Sequence, residues 1–185
     1  MGGQHCHADH VGHTHLDPKY KQVLWVALGI NASMCLVEIA AGILAGSVAL
    51  QADALDFLGD ATNYAISLVV LQRSLRLRAS ASLLKGASMA LFGLWVLTNT
   101  VLHAIHGTVP QASVMGIVGV LALGANVLVA LLLYRFRSGD SNMRSVWLCS
   151  RNDAIANIAT VVAAGGVFLS GTGWPDLAVG GVMAL

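Results

Sequence analysis

Charge is scarce in this sequence: only 10% of its 185 residues are Asp, Glu, Lys or Arg, against about 25% in a typical soluble domain. Too few charges remain to clothe a globule in water. Cysteines number three (Cys6, Cys35 and Cys149), an odd count without framework spacing, which excludes a disulfide scaffold. Apolar–polar alternation over ~10-residue segments is missing, which excludes a membrane β-barrel. There is no P-loop, no G-x-G-x-x-G opening a helix, no H-E-x-x-H and no G-x-S-x-G, so nothing points to ATP hydrolysis or nucleophilic catalysis. An enzyme is not expected, nor is a prosthetic group or a nucleic-acid partner. No cleavable signal peptide is expected either, because the first 22 residues are polar and rich in histidine.

What the sequence does have is long apolar runs, with 56% hydrophobic residues overall. Runs of about 20 such residues predict membrane-crossing helices. They place an all-α, polytopic bundle over residues 23–45, 48–71, 81–105, 113–136, 146–169 and 176–185, behind a histidine-rich tail at 1–22. The first pair is joined by a tight turn at Gly46-Ser47, and Gly107 with Pro110 and the run Gly171-Thr172-Gly173-Trp174-Pro175 mark two more loops. The sixth segment reaches Leu185 after too few residues to cross ~30 Å of hydrocarbon, so it is expected either to be incomplete or not to cross.

All ten basic residues fall on one side of this map. Lys19 and Lys21 precede the first helix. Arg73, Arg76, Arg78 and Lys85 surround the second-to-third connection, and Arg135, Arg137, Arg144 and Arg151 surround the fourth-to-fifth. By the positive-inside rule that side, with the N-terminus, is cytoplasmic. A bacterial inner membrane is the expected location.

Within the second apolar segment lie Asp53, Asp56 and Asp60. A carboxylate at mid-bilayer costs ~2.5–3.5 kcal/mol on the insertion scale, so three in one span ask for a function. Their i, i+3, i+7 spacing puts all three on one helix face. The fifth helix carries Cys149, Asp153 and Asn157 at four-residue spacing. If these helices adjoin, Asp56, Asp60, Cys149 and Asp153 form a four-ligand cage suited to tetrahedral Zn²⁺. Oxygen ligands would also accept Mn²⁺ or Fe²⁺, and the sulfur favours Zn²⁺ and Cd²⁺. Bland alternatives stand beside this: Asp153 as an ion-pair partner of a nearby Arg, Cys149 as a small inert hydrophobe. Asp53 is a weaker candidate, as ligand, proton carrier or solvated group. Asn31 and Glu38, seven apart on the first helix, line the same cavity or bond between helices. Asn126 invites the same reading, and His103 and His106 mark the outer end of the third helix. The tail packs His5, Cys6, His7, His10, His13 and His15 into eleven residues, good ligands for Zn²⁺, Ni²⁺, Co²⁺ or Cu. It reads as a flexible metal-capturing segment.

From Asn31 onward the chain resembles the cation diffusion facilitator family of divalent-metal/proton antiporters. The resemblance rests on Asn31-x6-Glu38, on Gly46-Ser47-x-Ala49-Leu50-x-Ala52-Asp53-Ala54 followed by Asp56-x3-Asp60, on Ser145-Val146-Trp147-Leu148-Cys149-x3-Asp153, and on Trp174-Pro175-Asp176 at the start of helix six. It implies six helices, a cytoplasmic N-terminus, a homodimer, and a site from helices two and five falling on Asp56, Asp60, Cys149 and Asp153. Family members commonly carry His or Asp where Cys149 stands, and usually a cytoplasmic metal-binding domain after helix six, which would lie beyond Leu185. The function implied is efflux of a divalent cation, zinc first and Cd, Co, Fe or Mn as alternatives, in exchange for protons. The rival is a non-transporting membrane protein that senses or sequesters metal, or an assembly subunit whose acids pair with a partner's basic helix.

Overall fold

The computed structural model describes residues 18–70, 75–138 and 141–183, and the regular structure among them is helical throughout. Helix α1 spans Pro18–Ala45 and α2 spans Val48–Ala65, its last turn widening into a π-helix at Ile66–Val70. Then follow α3 (Leu75–His106), α4 (Ala112–Tyr134), α5 (Ser141–Ser170) and α6 (Trp174–Met183). In lipid each backbone N–H must find its acceptor within the protein, and a helix meets that need segment by segment.

Four helical stretches are long and apolar enough to cross a membrane: Pro18–Ala45, Gly86–His106, Ala112–Tyr134 and Val146–Ser170. The protein is an integral membrane protein. Several helices exceed their apolar runs. Helix α1 begins at Pro18 rather than 23, α3 at Leu75 rather than 81, and α5 at Ser141 rather than 146. Hydropathy marks only the part in lipid, whereas the backbone goes on satisfying its hydrogen bonds into the polar layer. Proline at the first helical position suits α1, since its missing N–H would have had no partner there. The histidine tail and Cys6 lie outside the described residues, as does Arg73.

The three turns on the side away from the basic residues share one device. Gly46, Gly107 and Gly171 follow α1, α3 and α5 with φ of 66°, 64° and 63°, the left-handed region that glycine enters without a Cβ penalty. At Gly46 the closure is a Schellman motif: Ser47 N–H donates to Gly42 O at 2.9 Å and Gly46 N–H to Ile43 O at 3.3 Å.

Helix α2 is the hub and touches each of the other five helices. From Val48 to Leu55 every residue is buried. Its N-terminus is locked by Asp176, the third residue of α6. That carboxylate accepts from Ser47 Oγ at 2.6 Å, Val48 N at 2.9 Å and Ala49 N at 3.1 Å. Ser47 Oγ in turn accepts from Leu50 N at 3.2 Å. Three otherwise orphaned N–H groups are thereby satisfied, and negative charge sits at the positive end of the helix dipole. Helix α6 reaches this position because Gly180 lets its backbone lie on α2; a Cβ there would fall 2.7 Å from Val48 C and 2.8 Å from Ala49 N.

Two apolar clusters close the bundle. At the basic end Tyr20, Leu24 and Ala27 of α1 meet Tyr64, Leu68, Val129, Leu133 and Val146. At the opposite end Leu50 packs with Met115, Val118, Ala163, Ala164 and Val167. Between them the interior mixes buried polar residues, Asn31, Glu38, Asp53, Asp60 and Asn126 among them, with smaller apolar clusters around Phe57 and Leu55.

Candidate metal centre

The register of α2 carries Asp53, Asp56 and Asp60 down one face, and α5 runs alongside with Asp153. Asp60 is 4% exposed. Its Oδ2 accepts from Tyr64 Oη at 2.6 Å, and Ser150 Oγ lies 3.3 Å from the same oxygen. Tyr64 stands one helical turn beyond Asp60; Ser150 belongs to α5, three residues before Asp153. Across the α2–α5 seam Asp153 lies within electrostatic range of Asp60 and Asp56, and Asp56 also lies within range of Asp53. Asn157, one turn further along α5, donates Nδ2 to the Asp153 carbonyl at 3.1 Å.

The expected cage is therefore only partly drawn together. Asp56, Asp60 and Asp153 lie within electrostatic range of one another. Cys149 is half-buried on α5. Among the described residues no three His, Cys, Asp or Glu side chains stand where they could hold one metal ion together. Arg151 turns outward, its guanidinium 5.4 Å from the Trp147 ring and Nη2 3.1 Å from Asn152 Oδ1.

Asp53 faces another way. It lies within hydrogen-bonding reach of Glu38 on α1, and both residues are fully buried. Among the described residues no N–H or O–H group donates to either carboxyl. Glu38 thus sets a buried acid of α1 beside one of α2, whereas Asn31 stays local and donates Nδ2 to Ala27 O at 2.8 Å. Among the described residues no donor reaches the buried Oδ1 atoms of Asn31, Asn126 and Asn157. Gln51 extends the polar interior toward the glycine turns, taking a hydrogen bond from Asn99 Nδ2 at 2.8 Å.

Of the two outer histidines, His103 lies within electrostatic range of Asp176, and exposed His106 holds Leu102 O at 2.7 Å through Nδ1. The tail histidines His5, His7, His10, His13 and His15 lie outside the described residues.

Comparison with known proteins settles the family. A family model described as the cation efflux transmembrane domain matches residues 24–185. The chain belongs to the cation efflux family. Its relatives include a cadmium, cobalt and zinc/H(+)-K(+) antiporter of Bacillus velezensis, 22% identical over 94% of this chain and 60% of the relative. Zinc transporter ZitB of Escherichia coli is 25% identical over 92% of the chain and 58% of its own length. The human proton-coupled zinc antiporter SLC30A2 is 27% identical over 77% and 42%. The chain thus spans about three fifths of the length of the bacterial relatives. Membership agrees with the resemblance read from the motifs.

Sequence reading had passed over Tyr64, Ser150 and the capping role of Asp176. A signal existed for the first two: each lies one helical turn from a candidate aspartate, on the same face. A serine and a tyrosine among apolar residues nonetheless look like ordinary core residues.

Proposed function

We propose that the chain is the membrane part of a secondary transporter that exports a divalent metal cation, zinc first, in exchange for protons. The observation that carries this reading is the gathering of acids at the α2–α5 seam: buried Asp60 of α2, half-buried Asp153 of α5 within its electrostatic range, and Asp56 beside them. Acidic side chains inside a membrane bundle are costly, and they characteristically mark ion pathways and proton relays. Support also comes from family membership and from relatives whose names specify zinc, cadmium or cobalt together with protons.

In this mechanism the ion enters from the basic, cytoplasmic side and takes Asp56, Asp60 and Asp153, with Cys149 as fourth ligand. Small shifts of α2 against α5 complete the coordination. Oxygen and sulfur ligands hold metal only when deprotonated, so loading releases protons and reprotonation from the far side expels the ion. The histidine tail concentrates metal at the cytoplasmic mouth, the working unit is a homodimer, and the membrane is a bacterial inner membrane, as the bacterial relatives suggest.

The test is zinc flux in proteoliposomes holding a metal-sensitive dye under an imposed pH gradient. Flux should rise with the gradient in the wild type and vanish in Asp60→Ala. Flux that persists in Asp60→Ala would refute the site.

A further inference from the structure

Asp60 is held in an unusual way for a buried acid. Two neutral hydroxyls donate to it, and both converge on one oxygen. Tyr64 Oη lies 2.6 Å from Oδ2, Ser150 Oγ lies 3.3 Å from Oδ2, and the two hydroxyls are 2.7 Å apart. Tyr64 is 1% exposed and Ser150 is fully buried. A phenol has a single proton, and at 2.6 Å Tyr64 gives it to Asp60. Ser150 also has one proton, with Val146 O at 3.3 Å as a further acceptor. The three oxygens form a closed triangle that spans α2 and α5.

We propose that Tyr64 and Ser150 are positioning residues for the transported ion: their hydroxyls clamp Oδ2 of Asp60 between α2 and α5 and fix the plane of the carboxylate the ion must meet. The inference rests on the reading of Asp60 as a metal ligand. A carboxylate's terminal torsion is broad, so an unclamped Asp60 would swing through orientations of which few suit coordination. Neutral donors have a second virtue. A lysine or arginine would orient the carboxylate equally well but cancel the charge that attracts a divalent cation, whereas hydroxyls stabilise the ionised group and leave its charge in place. The phenol is steady because its ring is wedged among Leu24, Leu68, Val129 and Leu133. That apolar setting gives no reason for hydroxyls; phenylalanine and alanine would pack there as well. The clamp is their reason.

The experiment uses the full chain in proteoliposomes and reads zinc uptake against zinc concentration. Tyr64→Phe keeps the ring and removes the proton donor. It should raise the KM for zinc on the order of 10-fold, the scale of one hydrogen bond to a charged group, with Vmax changed less than about 2-fold. Ser150→Ala should raise KM in the same direction by less, and the double variant should lie close to Tyr64→Phe alone, because the hydroxyls act as one unit. If one variant fails to fold, the other carries the comparison. A merely structural tie would lower Vmax in step with folded protein and leave KM alone, which would overturn the proposal. Wild-type protein that moves no zinc would sink the transport reading and this inference together. Zinc transport with an unmoved KM in both variants would sink the inference only.

Discussion

Asp176→Ala tests whether the cap on α2 holds the bundle together. The substitution deletes the acceptor for Ser47 Oγ, Val48 N and Ala49 N, held at 2.6, 2.9 and 3.1 Å in a site where Asp176 is 1% exposed. Each buried donor left without a partner costs ~1–3 kcal/mol. Water entering from the nearby glycine turns would recover part of this, so the expected loss is ~3–5 kcal/mol, the range found when one partner of a buried charged contact is removed. At roughly 2–4 °C per kcal/mol for a chain of this length, Tm should fall by about 10 °C. Thermal unfolding of the purified protein in detergent, followed by circular dichroism, provides the measurement. Asp176→Asn keeps an acceptor but turns an NH₂ toward an N–H, and should lose about half as much. Ser47→Ala, which removes one cap contact and one bond to Asp176, should cost ~1–2 kcal/mol. Residues 47 and 176 share these bonds, so the double variant should cost clearly less than the sum of the two. An Asp176→Ala protein melting within about 2 °C of wild type would show that the cap contributes little, and the reasoning from its geometry would fail.

Gly180→Leu places a side chain against the α2 backbone, where even a Cβ would lie 2.7 Å from Val48 C. It should destabilise by ~2–4 kcal/mol, and Gly29→Ala, with nothing within 4 Å of its Cβ, is the control that should melt no lower than wild type. Gly46→Ala forces an L residue to φ 66° and should lower stability by ~1–2 kcal/mol in the same assay. Glu38→Gln gives the buried Asp53 an N–H donor that it lacks among the described residues; stability should be unchanged or higher by about 1 kcal/mol. A clear loss there would mean that Glu38 holds a proton or cation that an amide cannot replace. Protons and metal compete for the same carboxylates, so the KM for zinc should rise as the loading side is acidified; a KM that stays flat from about pH 8 to 6 would contradict carboxylate ligation.

Much of the architecture was legible because lipid leaves few choices. Apolar runs read as helices, and the glycines at 46, 107 and 171 marked the turns that the structure closes with positive φ. The aspartate spacing on α2 required α2 and α5 to adjoin if a site was to form, and they do adjoin. What was not legible is which face of each helix turns inward. In α1 the buried residues Tyr20, Leu24, Ala27, Asn31, Cys35, Glu38, Gly42 and Ala45 recur every three or four positions, but the opposite face, with Trp25, Leu36, Ile43 and Leu44 exposed, is more apolar still. Water sorts residues by hydrophobicity; lipid does not, and the inner face is marked instead by small and polar residues. Partnerships such as Glu38 with Asp53, or Asp176 with Ser47, join residues distant in the chain and leave no local periodicity behind them.

The same physics explains why α2 can exist at all. It falls outside the stretches apolar enough to cross a membrane, because Gln51, Asp53, Asp56 and Asp60 occupy one short helix. Alone in hydrocarbon it would be expelled by several kcal/mol per carboxylate. It is held because the other five helices surround it, because Asp176 satisfies its first N–H groups, and because its acids meet Glu38, Tyr64, Ser150 and Asp153 rather than lipid. The apolar helices α1, α3 and α4 thereby serve as solvent for a polar one. A centre built this way is stabilised by interhelical contacts at Asp60 and Asp153, the residues proposed to bind the ion. Ion binding must then compete with those contacts, so a metal that loads the site necessarily changes how α2 and α5 are joined. In the proposed transport cycle that linkage is the physical route by which loading would drive a change of access.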